Sequence, residues 1–281
     1  MTDLSFDGRV AIITGAGNGV GRSHALDLAR RGALVVVNDI GAAVDGSGRS
    51  AGPAQAVVDE IEAAGGAAIA NTDSVATPEG GAAIVAAAID SFGRVDIVVN
   101  NAGILRDASF AKLTFEQLEA VLDVHLRGAF HVTKPAWTHM RAQSYGRIVN
   151  TASGSGLFGN FGQSNYGAAK MGLVGMTRVL AIEGAKANIK VNAIAPIART
   201  RMTESYIDED KAMAPELISP IVTYLSHESC SVSGQIYHVG GGKVARAFIG
   251  VTEGITSPDL SAEMVADSIE KIDDTGAFEI R

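Results

Sequence analysis

The sequence predicts an α/β fold in three layers, α/β/α, built on a doubly wound parallel sheet of seven strands. Two observations predict it. Short apolar runs recur along the chain and alternate with stretches of helical period, as in repeated strand-helix-strand crossovers. Ala, Val and Ile dominate the apolar content while aromatics are scarce, which suits a parallel sheet covered on both faces by closely packed helices. The length, 281 residues, accommodates one large domain, expected over residues 1–242, with 243–281 as a helical tail packed on that domain or on a neighbouring subunit.

The first run, Arg9 to Thr14 (RVAIIT), enters a turn with glycines at 15, 17, 19 and 21, and a helical segment follows from Arg22 to Arg31. Strand, glycine turn and helix in this order make a cradle for a nucleotide pyrophosphate, because glycine lets the backbone approach and the helix start offers unpaired N–H groups. Gly15, Gly17, Asn18, Gly19, Val20 and Gly21 are therefore candidate cofactor residues. The second run, Leu34 to Asn38, ends in Asp39. Its carboxylate is placed to accept from the adenosine ribose hydroxyls and to repel a 2'-phosphate, favouring NAD over NADP; capping of the next helix is the alternative.

A Gly/Ser-rich loop, Gly41 to Pro53, is expected on the surface near the adenosine end, ahead of a helix from Ala54 to Ala64. The third strand, Ala67 to Asn71, leads to Asp73, Ser74 and Val75. These either meet the adenine or, for Asp73 and Ser74, cap the helix Pro78 to Phe92. The fourth strand, Val95 to Val99, ends in Asn100-Asn101-Ala102-Gly103. Small residues there let the backbone of Asn101, Ala102 and Gly103 pass under the cofactor, and an Asn amide can pin neighbouring strand ends. The loop Ile104 to Ala111 borders the substrate or crosses the domain edge.

Thr114 and Gln117 have the spacing of a capping box and open a long helical region reaching towards Met140, read as a packing and subunit-contact element. The fifth strand, Arg147 to Asn150, passes through a Ser/Gly-rich turn into a helix carrying Tyr166 and Lys170. Four residues apart on one helical face, the ammonium can sit beside the phenol and favour its phenolate, giving a proton-transfer group usable near neutral pH. Ser153 leaves the strand end and can present a hydroxyl to the same point. The sixth strand is expected over Asn188 to Ala193, a helix over Pro215 to Leu225, the seventh strand over Gln235 to Val239, and a tail helix over Ala262 to Ile272.

Several function classes fall away. The net charge is -8 and no basic tract is present, so nucleic acid is excluded as a partner. The single cysteine, Cys230, excludes a disulfide framework, and the histidine spacings give no metal cluster. No signal peptide and no run of membrane-spanning length occur, so a soluble cytoplasmic protein without a membrane association is expected. Arg127, Arg147 and Lys190 are expected to be surface or helix-end charges.

The set TGAGNGVG at 14–21, NNAG at 100–103, Ser153 and Tyr166-Gly-Ala-Ala-Lys170, in this order and at these spacings, closely resembles the short-chain dehydrogenase/reductases over about residues 5–242. Within the family, VVVNDIG (35–41), NNAGILRDASFAKLT (100–114) and GNFGQSNYGAAKMGL (159–173) are similar to the D-specific 3-hydroxyacyl-CoA dehydrogenase part of peroxisomal multifunctional enzyme type 2. The resemblance implies a Rossmann-like fold and NAD-dependent oxidation of a (3R)-3-hydroxyacyl-CoA to a 3-ketoacyl-CoA by a homodimer or homotetramer joined through the long central helices. It implies Tyr166 as base, Lys170 as its electrostatic partner and Ser153, with Ser155 as runner-up, as the group orienting the substrate oxygen.

Two positions depart from the family pattern. His125 stands where many members have an asparagine that completes a water-linked relay to the lysine, and Pro196-Ile197 replaces the usual Pro-Gly. Ile197 is still expected to offer its backbone to the nicotinamide, with Thr200 as a further contact. Arg106, Arg199 and Arg201 could meet acyl-CoA phosphates, or could simply be solvated. A separate enoyl-CoA hydratase is expected as pathway partner. The short segment between Thr203 and Pro215 makes a small substrate lid, which leaves a hydroxysteroid, terpenoid or other secondary alcohol as the alternative substrate class.

Overall fold

The structure is a computed structural model and describes residues 4–204 and 213–280. Seven strands, β1 (Val10–Thr14), β2 (Leu34–Asn38), β3 (Ala67–Asn71), β4 (Ile97–Asn100), β5 (Gly146–Thr151), β6 (Ile189–Ile197) and β7 (Ile236–Gly240), pair in the order β3-β2-β1-β4-β5-β6-β7, and every pair is parallel. An eighth strand, β8 (Lys243–Ala247), extends the β7 edge. The glycine run 240–242 turns the chain between these strands, with Gly241 and Gly242 at φ of 58° and 73°.

The strands are apolar on both faces because both faces are covered. In β1, Ala11 and Ile13 enter one core with Leu28 of α1 (Gly19–Arg30), Val57 of α2 (Gly52–Ala63) and Val222 of α8 (Ser219–Ser226). Val10 and Ile12 enter the opposite core with Ile84 of α3 (Pro78–Phe92) and Val132 of α5 (Gly128–Gln143). The remaining helices of this unit are α4 (Phe115–Leu122), α6 (Gly154–Phe158) and α7 (Ser164–Gly184). The capping box at Thr114 and Gln117 is formed, with both reciprocal bonds present. Thr77, and neither Asp73 nor Ser74, caps α3 by accepting from Gly80 N at 3.1 Å.

The chain winds outward from β1 to β3 and then returns to place β4 beside β1. That reversal opens a crevice at the carboxyl ends of β1 and β4, where ligands of open α/β sheets bind. A buried polar ladder fixes the helices behind it. Asn100 donates to Thr133 Oγ1 at 2.9 Å and to Asn150 Oδ1 at 2.8 Å, and Asn150 donates in turn to Thr177 Oγ1 at 2.9 Å. These bonds tie β4 and β5 to α5 and α7, and each satisfies a polar group that burial would otherwise penalise.

Arg147 corrects the expectation of a surface charge. It is 1 % exposed, its guanidinium donating to the carbonyls of Gly146, Asn188 and His227 and lying 4.4 Å from the Tyr145 ring centroid. Carbonyl acceptors and a π face replace the water it has lost. Residues 246–281 form a second unit. Within it β9 (Gly250–Thr252) pairs antiparallel with β10 (Phe278–Ile280), Phe248 stacks on Phe278, and the expected single helix is two, α9 (Ala262–Asp267) and α10 (Ile269–Ile272).

Candidate active site

The crevice is a cleft of about 480 Å³ that runs from Asp39 to Tyr166. At its floor Thr14 Oγ1 accepts from Asn101 N and Ala102 N at 3.0 and 3.1 Å, while Asn101 Nδ2 donates to Thr14 O and Gly15 O at 3.0 and 3.1 Å. The ends of β1 and β4 are thereby clamped together. Sequence reasoning singled out Asn101 and missed Thr14, whose signal is a hydroxyl at the last position of a strand that feeds a glycine turn.

The glycine turn folds so tightly that side chains have no room in it. A Cβ on Gly15 would lie 2.8 Å from Ala102 Cα, and one on Gly21 2.3 Å from Gly15 O. α1 starts at Gly19 with Asn18 as N-cap. No side-chain cap bond and no acidic residue in its first turn satisfies or neutralises the N–H groups there. A close backbone surface ending in free helical donors fits a pyrophosphate. Asn18, Val20 and Thr200 line the same part of the cleft, with Thr200 Cγ2 placed 3.3 Å from where a Gly19 Cβ would be.

Asp39 braces this turn as well as facing the cleft. Its Oδ2 accepts from Gly17 N at 2.8 Å and its Oδ1 from Gly41 N at 2.7 Å, so the helix-cap alternative does not hold. Asp73, Ser74 and Val75 line the adenosine end; Asp73 accepts from Asn71 Nδ2 at 2.8 Å, and Asn38 Nδ2 donates to Asp73 O at 2.9 Å. Two of the expected cofactor residues do not line the cleft. Gly17 is packed against Asp39 and Pro53, and Ile197 is the last residue of β6, opposite Gly240, because that strand runs four residues further than expected. Pro196 does line it.

At the other end the structure brings Ser153, Tyr166, Lys170 and His125 together, with Gly103 beneath them. Ser153 is the N-cap of α6, its Oγ accepting from Ser155 N at 3.2 Å. Lys170 is 3 % exposed; its Nζ donates to Thr151 O at 2.5 Å and lies 5.4 Å from the Tyr166 ring centroid. Burial pushes the Lys170 ammonium down from 10.5 to about 7. α7 places Tyr166 and Lys170 one turn apart, and in its first turn Asn165 Oδ1 accepts from Tyr166 N at 2.8 Å.

His125 sits in a π-helical turn, Asp123–Arg127, between α4 and α5. The extra residue in that turn re-aims the side chain into the cleft, as such bulges do at functional sites. Its Nε2 lies 3.0 Å from Ile104 N and 2.8 Å from Ile104 O, and its ring stands edge-on to Tyr166 at 5.0 Å. Burial, and then the Lys170 charge, hold its pKa well below the usual imidazole range, so the ring is neutral. A Cβ on Gly103 would fall 2.4 Å from His125 Cε1, which is why glycine stands there. One ring nitrogen is thus committed to the Ile104 backbone, and only Nδ1 is free of a protein partner.

Among the described residues no group of His, Cys, Asp or Glu could hold a metal ion, and no helix is long and apolar enough to cross a membrane. The charged segment expected to form the lid falls largely on residues 205–212, outside the described residues.

The profile of the family described as short chain dehydrogenase matches residues 9–211. The chain is 56 % identical over 240 residues to a short-chain type dehydrogenase/reductase of Mycobacterium tuberculosis, covering 85 % of this chain and 84 % of that one. It is also 56 % identical over 242 residues to the peroxisomal hydratase-dehydrogenase-epimerase of Saccharomyces cerevisiae, covering 85 % of this chain and 27 % of the yeast protein. Among solved structures it superposes on a 7α-hydroxysteroid dehydrogenase complexed with NADH and 7-oxo glycochenodeoxycholic acid, with TM-score 0.77 and 31 % identity over 87 % of this chain and 98 % of that one.

The chain spans between 27 % and 61 % of the length of its peroxisomal relatives. These relatives correct the expected location: the yeast, mouse, Dictyostelium, Neurospora and Drosophila matches are all named as peroxisomal, so the comparison points to the peroxisome and not to the cytoplasm.

Proposed function

The chain belongs to the short-chain dehydrogenase family, and from that premise we propose that it oxidises a (3R)-3-hydroxyacyl-CoA to the 3-ketoacyl-CoA. It is an NAD-dependent oxidoreductase of secondary alcohols and ketones. The observation that carries the substrate reading is its identity, over nearly the whole dehydrogenase-like part, to proteins named for joined hydratase and dehydrogenase steps. In such a sequence the substrate is the 3-hydroxyacyl product of hydration, so an enoyl-CoA hydratase acts immediately before this chain.

In this reading Asp39, the α1 start and the Asn101-Ala102-Gly103 turn hold NAD, which when bound supplies the hydride acceptor. Ser153 Oγ orients the substrate oxygen. Tyr166, as the phenolate, takes the hydroxyl proton as the carbon-bound hydrogen departs with its electron pair and is left as the phenol; Lys170, when protonated, favours the phenolate from which the step begins. His125 is a support and does not act as the base: its neutral ring, which keeps a single N–H, fixes the Ile104 backbone beside Tyr166, while Nδ1 could hold a water behind Lys170.

The active form is a homo-oligomer joined through the long helices. Exposed apolar side chains on their outer faces, Ile182 and Val179 of α7 and Phe130 of α5, support this. Replacing Tyr166 by Phe should abolish turnover of (3R)-3-hydroxyacyl-CoA and leave NAD binding intact; undiminished turnover would refute the assignment.

A further inference from the structure

The loop between β2 and α2 is expected from sequence to lie on the surface near the adenosine end, and it does more than that. Its two ends are closed by Ser50 N donating to Ile40 O at 2.9 Å, and its tip is turned by Ala43 N to Ser47 O at 2.8 Å and Gly46 N to Ala43 O at 2.9 Å. It is an Ω-shaped loop whose base is Asp39, since Asp39 Oδ1 holds Gly41 N. Its tip reaches across the cleft to the loop that follows β4. Leu105 N donates to Val44 O at 2.9 Å, and Arg106 Nε donates to Asp45 O at 2.5 Å. Gly46, at φ 87°, packs so closely that a Cβ there would lie 3.2 Å from Ile104 Cδ1 and Cγ2.

The far side of that contact is the catalytic end. Ile104 is the residue gripped by His125, and His125 stands against Tyr166. The next residue but one, Arg106, accepts from Asn165 Nδ2 at 3.0 Å through its carbonyl, and Asn165 Oδ1 receives Tyr166 N. A continuous run of short bonds therefore joins the carboxylate at the adenosine end to the backbone of the catalytic tyrosine, passing over the cofactor cleft.

We propose that residues 41–51 are a strap that couples occupation of the adenosine end to the placement of Tyr166, and that Arg106 is the positioning residue that fastens it. The proposal rests on the reading of the cleft as an NAD site. A ligand filling only the adenosine end orders the strap through Asp39; the strap orders Leu105 and Arg106; and these hold His125 and Asn165 against Tyr166. Coupling of this kind is thermodynamic, a difference in how well the two ends fit the closed strap, and it is reciprocal.

The test uses ADP-ribose, which occupies the adenosine end and brings no nicotinamide, with amide hydrogen exchange read at both ends. In the wild type, ADP-ribose should slow exchange at Leu105 and Arg106 and in the first turn of α7. Arg106→Ala, which loses the bond to Asp45 O, and Gly46→Ala, whose Cβ presses on Ile104, should still bind ADP-ribose but lose the remote protection. Both should lower kcat about fivefold or more. Arg106→Lys, which retains a donor for Asp45 O, should recover part of both effects. ADP-ribose binding that changes exchange only around Asp39 and the α1 start would overturn the strap, as would an Arg106→Ala protein that keeps full remote protection and kcat. Remote protection in a protein that turns over no hydroxyacyl-CoA would sustain the strap and refute the substrate reading instead.

Discussion

Lys170 is a cation held where cations are costly, and its removal should therefore stabilise the cofactor-free protein. The side chain is buried and its pKa is pushed from 10.5 down to about 7 by desolvation. Between those values the unfolded chain carries a proton that the folded chain does not, so the unfolded state binds more protons and stability rises with pH. Below about pH 7 both states are protonated and the full penalty remains. From the two pKa values, the penalty is about 4 kcal/mol near pH 7 and falls to about 2 kcal/mol near pH 9.

Lys170→Met keeps the length and the apolar stem and removes the charge, but it leaves Thr151 O without its donor, at a cost of about 1–3 kcal/mol. The variant should thus be the more stable protein by about 2 kcal/mol near pH 7, with the advantage shrinking to about zero near pH 9. Urea unfolding of cofactor-free wild type and variant across that range measures the difference. A difference that stays constant with pH, or one that grows as pH rises, would refute the reasoning about Lys170.

Other expected outcomes follow from single contacts. Asp39→Ser should raise the preference for NADP relative to NAD by about 10-fold or more, because the carboxylate that repels a 2'-phosphate is gone; paired KM measurements for the two cofactors check it. Gly103→Ala should lower kcat far more than it changes NAD affinity, since its Cβ would displace the His125 ring, and steady-state kinetics with NAD titration separate the two. Ile182→Glu on the outer face of α7 should shift the oligomer towards monomer in light scattering, because a carboxylate cannot be covered there without a partner.

Much of the fold was legible because the chain states it locally. β1 is apolar on both faces, the glycines mark where the backbone must turn, and Thr114 with Gln117 announces a helix start that forms as written. The glycine turn was legible for the same reason, since Gly15 and Gly21 leave no room for a Cβ and Asp39 braces the turn with its carboxylate, all within a single β-α-β unit. What escaped was non-local. Arg147 looks like a surface charge until carbonyls from three separate segments surround it, and no spacing rule foretells a π-helical turn at His125.

The Gly41–Pro53 loop reads as polar surface near the adenosine end, because its partners lie far along the chain: Leu105 donates to it through its backbone N and Arg106 through its side-chain Nε. β8, β9 and β10 were missed because they are mostly exposed and lack the continuous apolar run of the buried strands. Ile197 was placed at the cofactor by analogy with a Pro-Gly turn, but a β-branched residue continues a strand where glycine would have ended it.

In the proposed reaction the cleft transfers hydride from the 3-carbon of a hydroxyacyl-CoA to NAD with Tyr166 as base. The most direct measurement is NADH formation by the purified chain, supplied with NAD and with the (3R) or (3S) form of a 3-hydroxyacyl-CoA, alongside a hydroxysteroid at the same concentration. Turnover is expected with the (3R) form, about 100-fold or more of it lost in Tyr166→Phe, with little turnover of the (3S) form. Turnover of the steroid without that of the (3R)-hydroxyacyl-CoA would contradict it.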